Sequence, residues 1–393
     1  MNTTTPKHTP RRKAAQRRRT HNVMLGGIFL LIILLFLLIN LLTKPRTFSE
    51  AENRTLAVMP EFSVAALADG SYFSGLSDCF SDQFFGRDSW ISMKGRVDSL
   101  LGRTESAGVF LGKDDYLISP PEAPDPVALP KTLTAINSFC ASHRDLRTAM
   151  MIVPGAAAML PEKLPKNAPV RDQREDLTDV ALQLDPAIIW VDAGSILEPH
   201  AEEEIYYRTD HHWTSLGARY AFEGAAEDLG ISDPITDYQV HTVSTEFQGT
   251  LSSKSGSHRA RDTIEVYTPK VQDLMYYVTY PDMTKVSSLY RRECLDVKDQ
   301  YTVFFGGNHS QFSIHTTVNN ARCLLVFKDS YANCFMQFLT PYYEKIIMID
   351  PRYYYDSIDT LITTEAVTDV LFLYSADTFL TDHSLSDVLA SAQ

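Results

Sequence analysis

The chain has 393 residues, 44% of them hydrophobic and 22% charged, a composition that excludes disorder as its dominant state. Its net charge of −13 hides a step: residues 1–22 carry seven Lys or Arg and no acid, leaving 29 basic against 49 acidic residues beyond them. A body that acidic is unsuited to neutralising phosphates, which excludes nucleic acid as a partner.

The basic head runs into "VMLGGIFLLIILLFLLINLL", residues 23–42, with Asn40 as the one strongly polar side chain. About 20 such residues cross a bilayer as a helix. Lys and Arg crowded before the span keep the N-terminus cytoplasmic. No small-x-small cleavage site follows, and the chain continues into Lys44-Pro45-Arg46, so the reading is an uncleaved anchor at 23–43 rather than a signal peptide.

Residues 44–107 read as a stalk and an entry segment. "FSEAENRTLAVMPEFS" lacks periodicity, while "YFSGLSDCFSDQFFGRDSWISMKGRVDSLL" reads as helical. A compact domain over 108–393 opens with "GVFLGKDDYLIS", a hairpin-like strand pair. Then the pattern alternates. "TLTAINSFCASH" and "DLTDVALQL" predict helices, "TAMMIVP" and "AIIWVDA" short apolar strands. Downstream come "RCLLVFKDS" (strand), "YANCFMQFL" (helix), "KIIMIDP" (strand), "TLITTEA" (helix) and "DVLFLYS" (strand). Apolar runs alternating with helix-length segments predict an α/β fold with a parallel sheet covered on both faces. Between about 240 and 320, "TIEVYTP", "MYYVTYP", "YTVFFGG" and "FSIHTTV" are aromatic and β-branched, predicting an antiparallel insertion or edge hairpins. The five cysteines (Cys79, Cys140, Cys294, Cys323, Cys334) show no metal spacing, and Cys323 reads as core packing.

Ligands of open α/β sheets bind beyond the carboxyl ends of the strands, which singles out Ser330 after "CLLVFKD". It is either a helix cap or a nucleophile. A nucleophile needs a base and the base an orienting group, and "TDHHWT", residues 209–214, contains both. In an extended turn Asp210 and His212 share a side and His211 faces away. Thr214 would cap the next helix, whose apolar stripe is Leu216, Tyr220 and Leu229. Three readings of this motif stand: a metal site, an acid–base pair, or a polar turn. The metal reading is disfavoured because adjacent histidines diverge and no H-x-x-x-H occurs. "FFGGNHS", residues 304–310, offers Gly307 and Asn308 either as oxyanion donors or as an ordinary glycine turn.

Taken in order, "TDHHWT", an apolar strand and "KDSYAN" resemble the DHHW family of anchored bacterial proteins, related to the SGNH-hydrolase-like domains of alginate O-acetyltransferases. "GVFLGKDDYLIS", "MIVPGAAAMLPEKLP" and "MIDPRYYY" are similar to segments of that family, so the likeness spans roughly residues 50–380. It implies an SGNH-hydrolase-like, flavodoxin-like fold in circularly permuted order, with the Asp-x-His element ahead of the serine. It implies Ser330 as nucleophile, His212 as base and Asp210 as the group that fixes its tautomer, with Trp213 packed beneath them or lining the cleft. Lys328 departs from the glycine that ordinary SGNH enzymes carry there. By the same resemblance the chain would be an exported O-acetyltransferase or acetylesterase acting on a surface or secreted polysaccharide, without cofactor or metal. Its partner would be a membrane-bound O-acyltransferase. The alternative is a non-catalytic domain that binds glycan or scaffolds an acetylation complex.

Overall fold

A computed structural model describes residues 10–49 and 54–390. The first nine residues of the basic head and stalk residues 50–53 lie outside it. The chain divides into two compact units, residues 1–90 and 91–393.

In the first unit, α1 (Pro10–Leu42) contains the one helix among the described residues long and apolar enough to cross a membrane, Arg17–Leu42. Asn40 is satisfied within this unit. Its Nδ2 donates to the Phe36 carbonyl (3.0 Å) and its Oδ1 accepts the Phe85 N–H (2.6 Å), which removes the cost of an unpaired amide in an apolar setting. A two-residue antiparallel pair follows, β1 (Phe48–Ser49) with β2 (Arg54–Thr55). Then come α2 (Val64–Ala68) and α3 (Ser71–Asp82), and α4 (Arg87–Leu100) begins as the unit ends.

The second unit opens with a small antiparallel sheet of β3 (Glu105–Ser106), β4 (Val109–Leu111) and β5 (Leu117–Ile118), the expected hairpin plus one strand. Its body is built from α5 (Ala128–Ser142), β6 (Arg147–Val153), α6 (Ala156–Met159), α7 (Gln173–Gln183), β7 (Ile189–Val191), α8 (Ala193–Leu197) and α9 (Ser215–Ala225). A separate antiparallel ribbon, β8 (Tyr238–Phe247) with β9 (Asp262–Pro269), flanks α10 (Thr250–Ser255). Next come β10 (Tyr276–Thr279), β11 (Lys285–Val286), β12 (Gln311–Thr316), β13 (Cys323–Lys328), α11 (Ala332–Leu339) and β14 (Lys345–Ile349). The last elements are α12 (Ile358–Glu365), β15 (Asp369–Ser375), α13 (Ala376–Thr381) and α14 (Ser384–Ala390).

The main sheet has the order β11-β10-β12-β14-β13-β15-β6-β7. Strands β14 through β7 are parallel, and β12, β10 and β11 add antiparallel neighbours at one edge. The apolar runs are continuous because both faces are buried. Leu324 and Val326 of β13 pack into one core with α9 and α11, while Leu325 and Phe327 pack into a second core with α5, and the same alternation runs through β6, β14 and β15. Truncating a residue such as Leu325, fully buried, costs on the order of 2–5 kcal/mol.

Two expectations are corrected. "YTVFFGG" is not a strand: Gln300–Val303 form a 3-10 turn, and Phe305, Gly306 and Gly307 follow with φ of 62°, 78° and 95°, a curl that no strand accommodates. The buried stripe of α9 is Ala218, Ala221, Phe222 and Ala225 rather than Leu216 and Tyr220, because the helix lies close to its neighbours. A Cβ at Gly217 would stand 2.5 Å from the Ile205 carbonyl oxygen, so small residues face inward. All five cysteines are free thiols, and Cys323 is buried in β13.

Candidate active site

Ser330 follows β13 directly. Its turn is clipped in place by Asp329, whose Oδ1 accepts the Tyr331 N–H (2.9 Å). Oδ2 of the same carboxylate accepts the Ser375 N–H (3.0 Å) and hydroxyl (2.7 Å) at the end of β15. The neighbouring strand thereby fixes the point at which the serine leaves the sheet.

The acid and the histidines sit on a tight loop. A bridge between Tyr206 and Trp213 closes it, and the Tyr207 N–H donates to the His212 carbonyl (3.2 Å). Asp262 at the start of β9 holds the loop from the other side, with its carboxylate accepting the N–H groups of Arg208 and Thr209 (both 2.8 Å) and the Thr209 hydroxyl (2.5 Å). Thr214 caps α9 as the sequence reading has it, accepting the Gly217 N–H at 3.2 Å.

The structure brings Ser330, His212 and Asp210 together. His212 Nε2 lies 2.7 Å from Ser330 Oγ, and His212 Nδ1 lies 2.5 Å from Asp210 Oδ2. The other Asp210 oxygen accepts the Thr250 N–H and hydroxyl, both at 2.8 Å, at the start of α10. Asp210 and His212 are buried and Ser330 is partly so. Burial opposes the Asp210 charge, but the two adjacent imidazoles outweigh it and hold the carboxyl well below the usual carboxylate range. Burial pushes the His212 imidazole down, the His211 charge adds to this, and together they exceed the opposing pull of Asp210. His212 is therefore neutral and able to accept a proton at neutral pH.

Trp213 packs beneath the site and does not line a cleft. It is wholly buried, its indole N–H donates to the Tyr331 carbonyl (2.9 Å), and its ring stacks on Phe335. His211 does not face away. The closed loop breaks strand alternation, so His211 Nδ1 sits 2.9 Å from Thr250 Oγ1 and 3.5 Å from Asp210 Oδ1. Its side chain is 43% exposed, against 7% for His212. Its ring borders a pocket shared with Ser119, Gly155, Asp210, Tyr331 and Asp377. Partial desolvation lowers its pKa, but the Asp210 charge prevails and raises it.

Asp210, His211 and His212 offer ligand atoms within 4.8 Å of one another. Their geometry does not suit a metal, because both His212 nitrogens face Ser330 and Asp210 and both Asp210 oxygens are taken. Of the two oxyanion candidates, Gly307 gives its N–H to the Phe304 carbonyl (3.2 Å) within its own turn. Asn308 is exposed, and its amide oxygen is bound to Lys328 of β13 (2.8 Å).

Three contributors escaped the sequence reading. Tyr301 stacks flat on the His212 ring (centroids 3.9 Å apart, 17° between planes) and donates its hydroxyl to the Ser330 carbonyl (3.1 Å). Thr250 fixes Asp210, and Gly249 leaves room for it, since a Cβ there would overlap the Asp210 side chain. The only local signal was a Gly-Thr pair opening a short helix.

The mixed sheet with helices on both faces has the SGNH-like α/β fold. The chain is similar to two families at once: residues 52–112 match the model described as DHHW protein, and residues 129–308 match the SGNH hydrolase-like domain of acetyltransferase AlgX. Among solved structures, a DHHW family protein from Eubacterium siraeum is 24% identical, with a TM-score of 0.62 over 73% of this chain and 96% of that one. Bacillus cereus PatB1, solved with a sulfonyl adduct, is 20% identical, with a TM-score of 0.58 over 70% of this chain and 97% of that one. No curated protein matches the chain.

Proposed function

We propose that the chain is a membrane-anchored O-acetyltransferase or acetylesterase of an extracytoplasmic polysaccharide. The observation that carries this reading is the pair of contacts at His212, 2.7 Å to Ser330 Oγ and 2.5 Å to Asp210 Oδ2. The acetyl-transfer chemistry is supported by the AlgX acetyltransferase description of the matching domain.

In this mechanism Ser330 Oγ attacks the acetyl carbonyl while His212 Nε2 takes the hydroxyl proton. Asp210 holds His212 Nδ1 protonated and stabilises the imidazolium that forms. Collapse of the tetrahedral intermediate expels the donor alkoxide, which receives the proton from His212, and leaves Ser330 acetylated. His212 then deprotonates water or a sugar hydroxyl, whose attack releases acetate or an acetylated sugar and returns the proton to Ser330.

Seven basic residues ahead of the apolar run at 23–42 support an N-terminus in the cytoplasm and a catalytic unit outside. Acetyl groups there have to be handed across the bilayer, and a multi-spanning O-acyltransferase is the partner suited to that task.

The test is acetate release from an acetylated model ester by the full-length protein in detergent. Release that disappears in Ser330→Ala is the expected result. Release that survives this substitution unchanged rejects the mechanism, and no release under any condition favours a glycan-binding or scaffolding role.

A further inference from the structure

The apolar run at 23–42 is exposed along its length except at Phe36, Ile39 and Asn40, which are half-buried. Phe36 and Asn40 are met by the turn between α3 and α4. The Phe36 ring lies 6.0 Å from that of Phe84, at 12° between planes, and 6.2 Å from that of Trp90, while Asn40 Oδ1 accepts the Phe85 N–H. Just past the apolar run, Gln83 clasps the chain. Its Oε1 accepts the Arg46 N–H (2.9 Å), and its Nε2 donates to the carbonyls of Arg46 (2.8 Å) and Ala57 (2.9 Å). Arg46 also pairs with Asp88 (3.0 Å). The turn is therefore fixed to the end of the apolar helix.

These contacts set a depth. Twenty residues rise about 30 Å, the thickness of a bilayer's hydrocarbon core, and at about 1.5 Å per residue Phe36 lies about 9 Å inside the end at Leu42. Rings 6.0 and 6.2 Å away stay inside that end even if displaced straight outward. In α3, Phe73, Leu76 and Phe80 share one stripe at about 100° per residue, which leads on to Phe84; the two acids of the helix, Asp78 and Asp82, lie opposite. Phe73 and Phe80 are 60% and 61% exposed, and Phe85 and Trp90 are exposed beside them. An aromatic face of this kind is foreign to a water-facing surface and suits the boundary of a bilayer.

We propose that residues 71–90 form a collar seated in the lipid interface at the C-terminal end of the apolar helix, with Phe73, Phe80, Phe84, Phe85 and Trp90 immersed at the level of the upper acyl chains. This rests on the reading of 23–43 as an uncleaved anchor. Residues 56–86 hold no Lys or Arg, so the attraction is apolar and needs no anionic headgroup. The chain then leaves the lipid at Trp90 rather than at Leu42.

The experiment uses full-length protein reconstituted into phosphatidylcholine vesicles, with and without lipid brominated on the upper acyl chain, and reads tryptophan fluorescence. The difference between wild type and Trp90→Phe isolates Trp90, and brominated lipid should remove most of that difference. In the Trp90→Phe background, Phe80→Trp should add emission that brominated lipid quenches, whereas Asp78→Trp, on the opposite face, should add emission that it spares. A Trp90 signal untouched by brominated lipid, or equal quenching at positions 78 and 80, overturns the inference; a face reserved for a protein partner gives the first of these results. Insertion of the apolar helix is read separately, as resistance to alkaline extraction. Release by alkali overturns instead the anchor reading on which the inference rests.

Discussion

Gly249→Ala tests the geometry at a residue that performs no chemistry. Gly249 has φ −79°, which alanine adopts without strain, so the effect is confined to the added methyl group. That Cβ would stand 2.5 Å from Asp210 Cγ and closer still to Cβ and Oδ1, where ordinary Cβ contacts keep at least 3.0 Å. The carboxylate has to retreat by half an ångström or more, which stretches the 2.5 Å contact to His212 and the two 2.8 Å bonds from Thr250. Misplacement on that scale costs about 10²-fold in rate, and full loss of the orienting acid about 10⁴-fold by the serine-protease example. The overpacking itself costs about 1–3 kcal/mol of stability. The assay is ester turnover, with a thermal melt to count folded protein. Turnover within about threefold of wild type, per folded molecule, would refute the orienting role of Asp210.

Two further outcomes follow from the same site and a third from the N-terminal segment. His212 works as a base only when neutral, and its lowered pKa extends that form to more acid pH, so the rising limb of kcat/KM should lie below the ordinary histidine value of about 6.5. His211→Ala removes a positive neighbour and should move the limb upward; a pH–rate profile checks both. His212→Ala should cost at least about 10²-fold and His211→Ala less, with a chelator changing neither, whereas equal losses together with chelator sensitivity would favour a metal at Asp210 and the two histidines. An alkaline phosphatase reporter fused after residue 60 should be active and one fused before residue 20 silent; the reverse would invert the orientation proposed from the basic head.

The parallel core was legible because strands buried on both faces are written as unbroken apolar runs: "RCLLVFKDS", "KIIMIDP" and "DVLFLYS" became β13, β14 and β15. Pairing Asp210 with His212 was legible from spacing. The placement of His211 was not, because alternation holds only in extended chain and the Tyr206–Trp213 bridge closes the loop. "YTVFFGG" misled because aromatic, β-branched residues also suit a buried turn, and the three positive φ values that define it leave their mark only in the two glycines. Thr250 and Tyr301 were out of reach for another reason. Their contacts to Asp210 and His212 bridge 40 and 89 positions and exist only once the ribbon and the sheet edge have folded.

The central claim, that Ser330 carries the acetyl group, is met most directly by trapping it. Full-length protein is mixed with excess acetylated ester, quenched in acid within a turnover, digested and read by mass spectrometry. The account predicts one acetyl group on the peptide containing Ser330, absent from Ser330→Ala and from His212→Ala. Turnover without any acetylated Ser330 peptide, or the same modification persisting in Ser330→Ala, would contradict it.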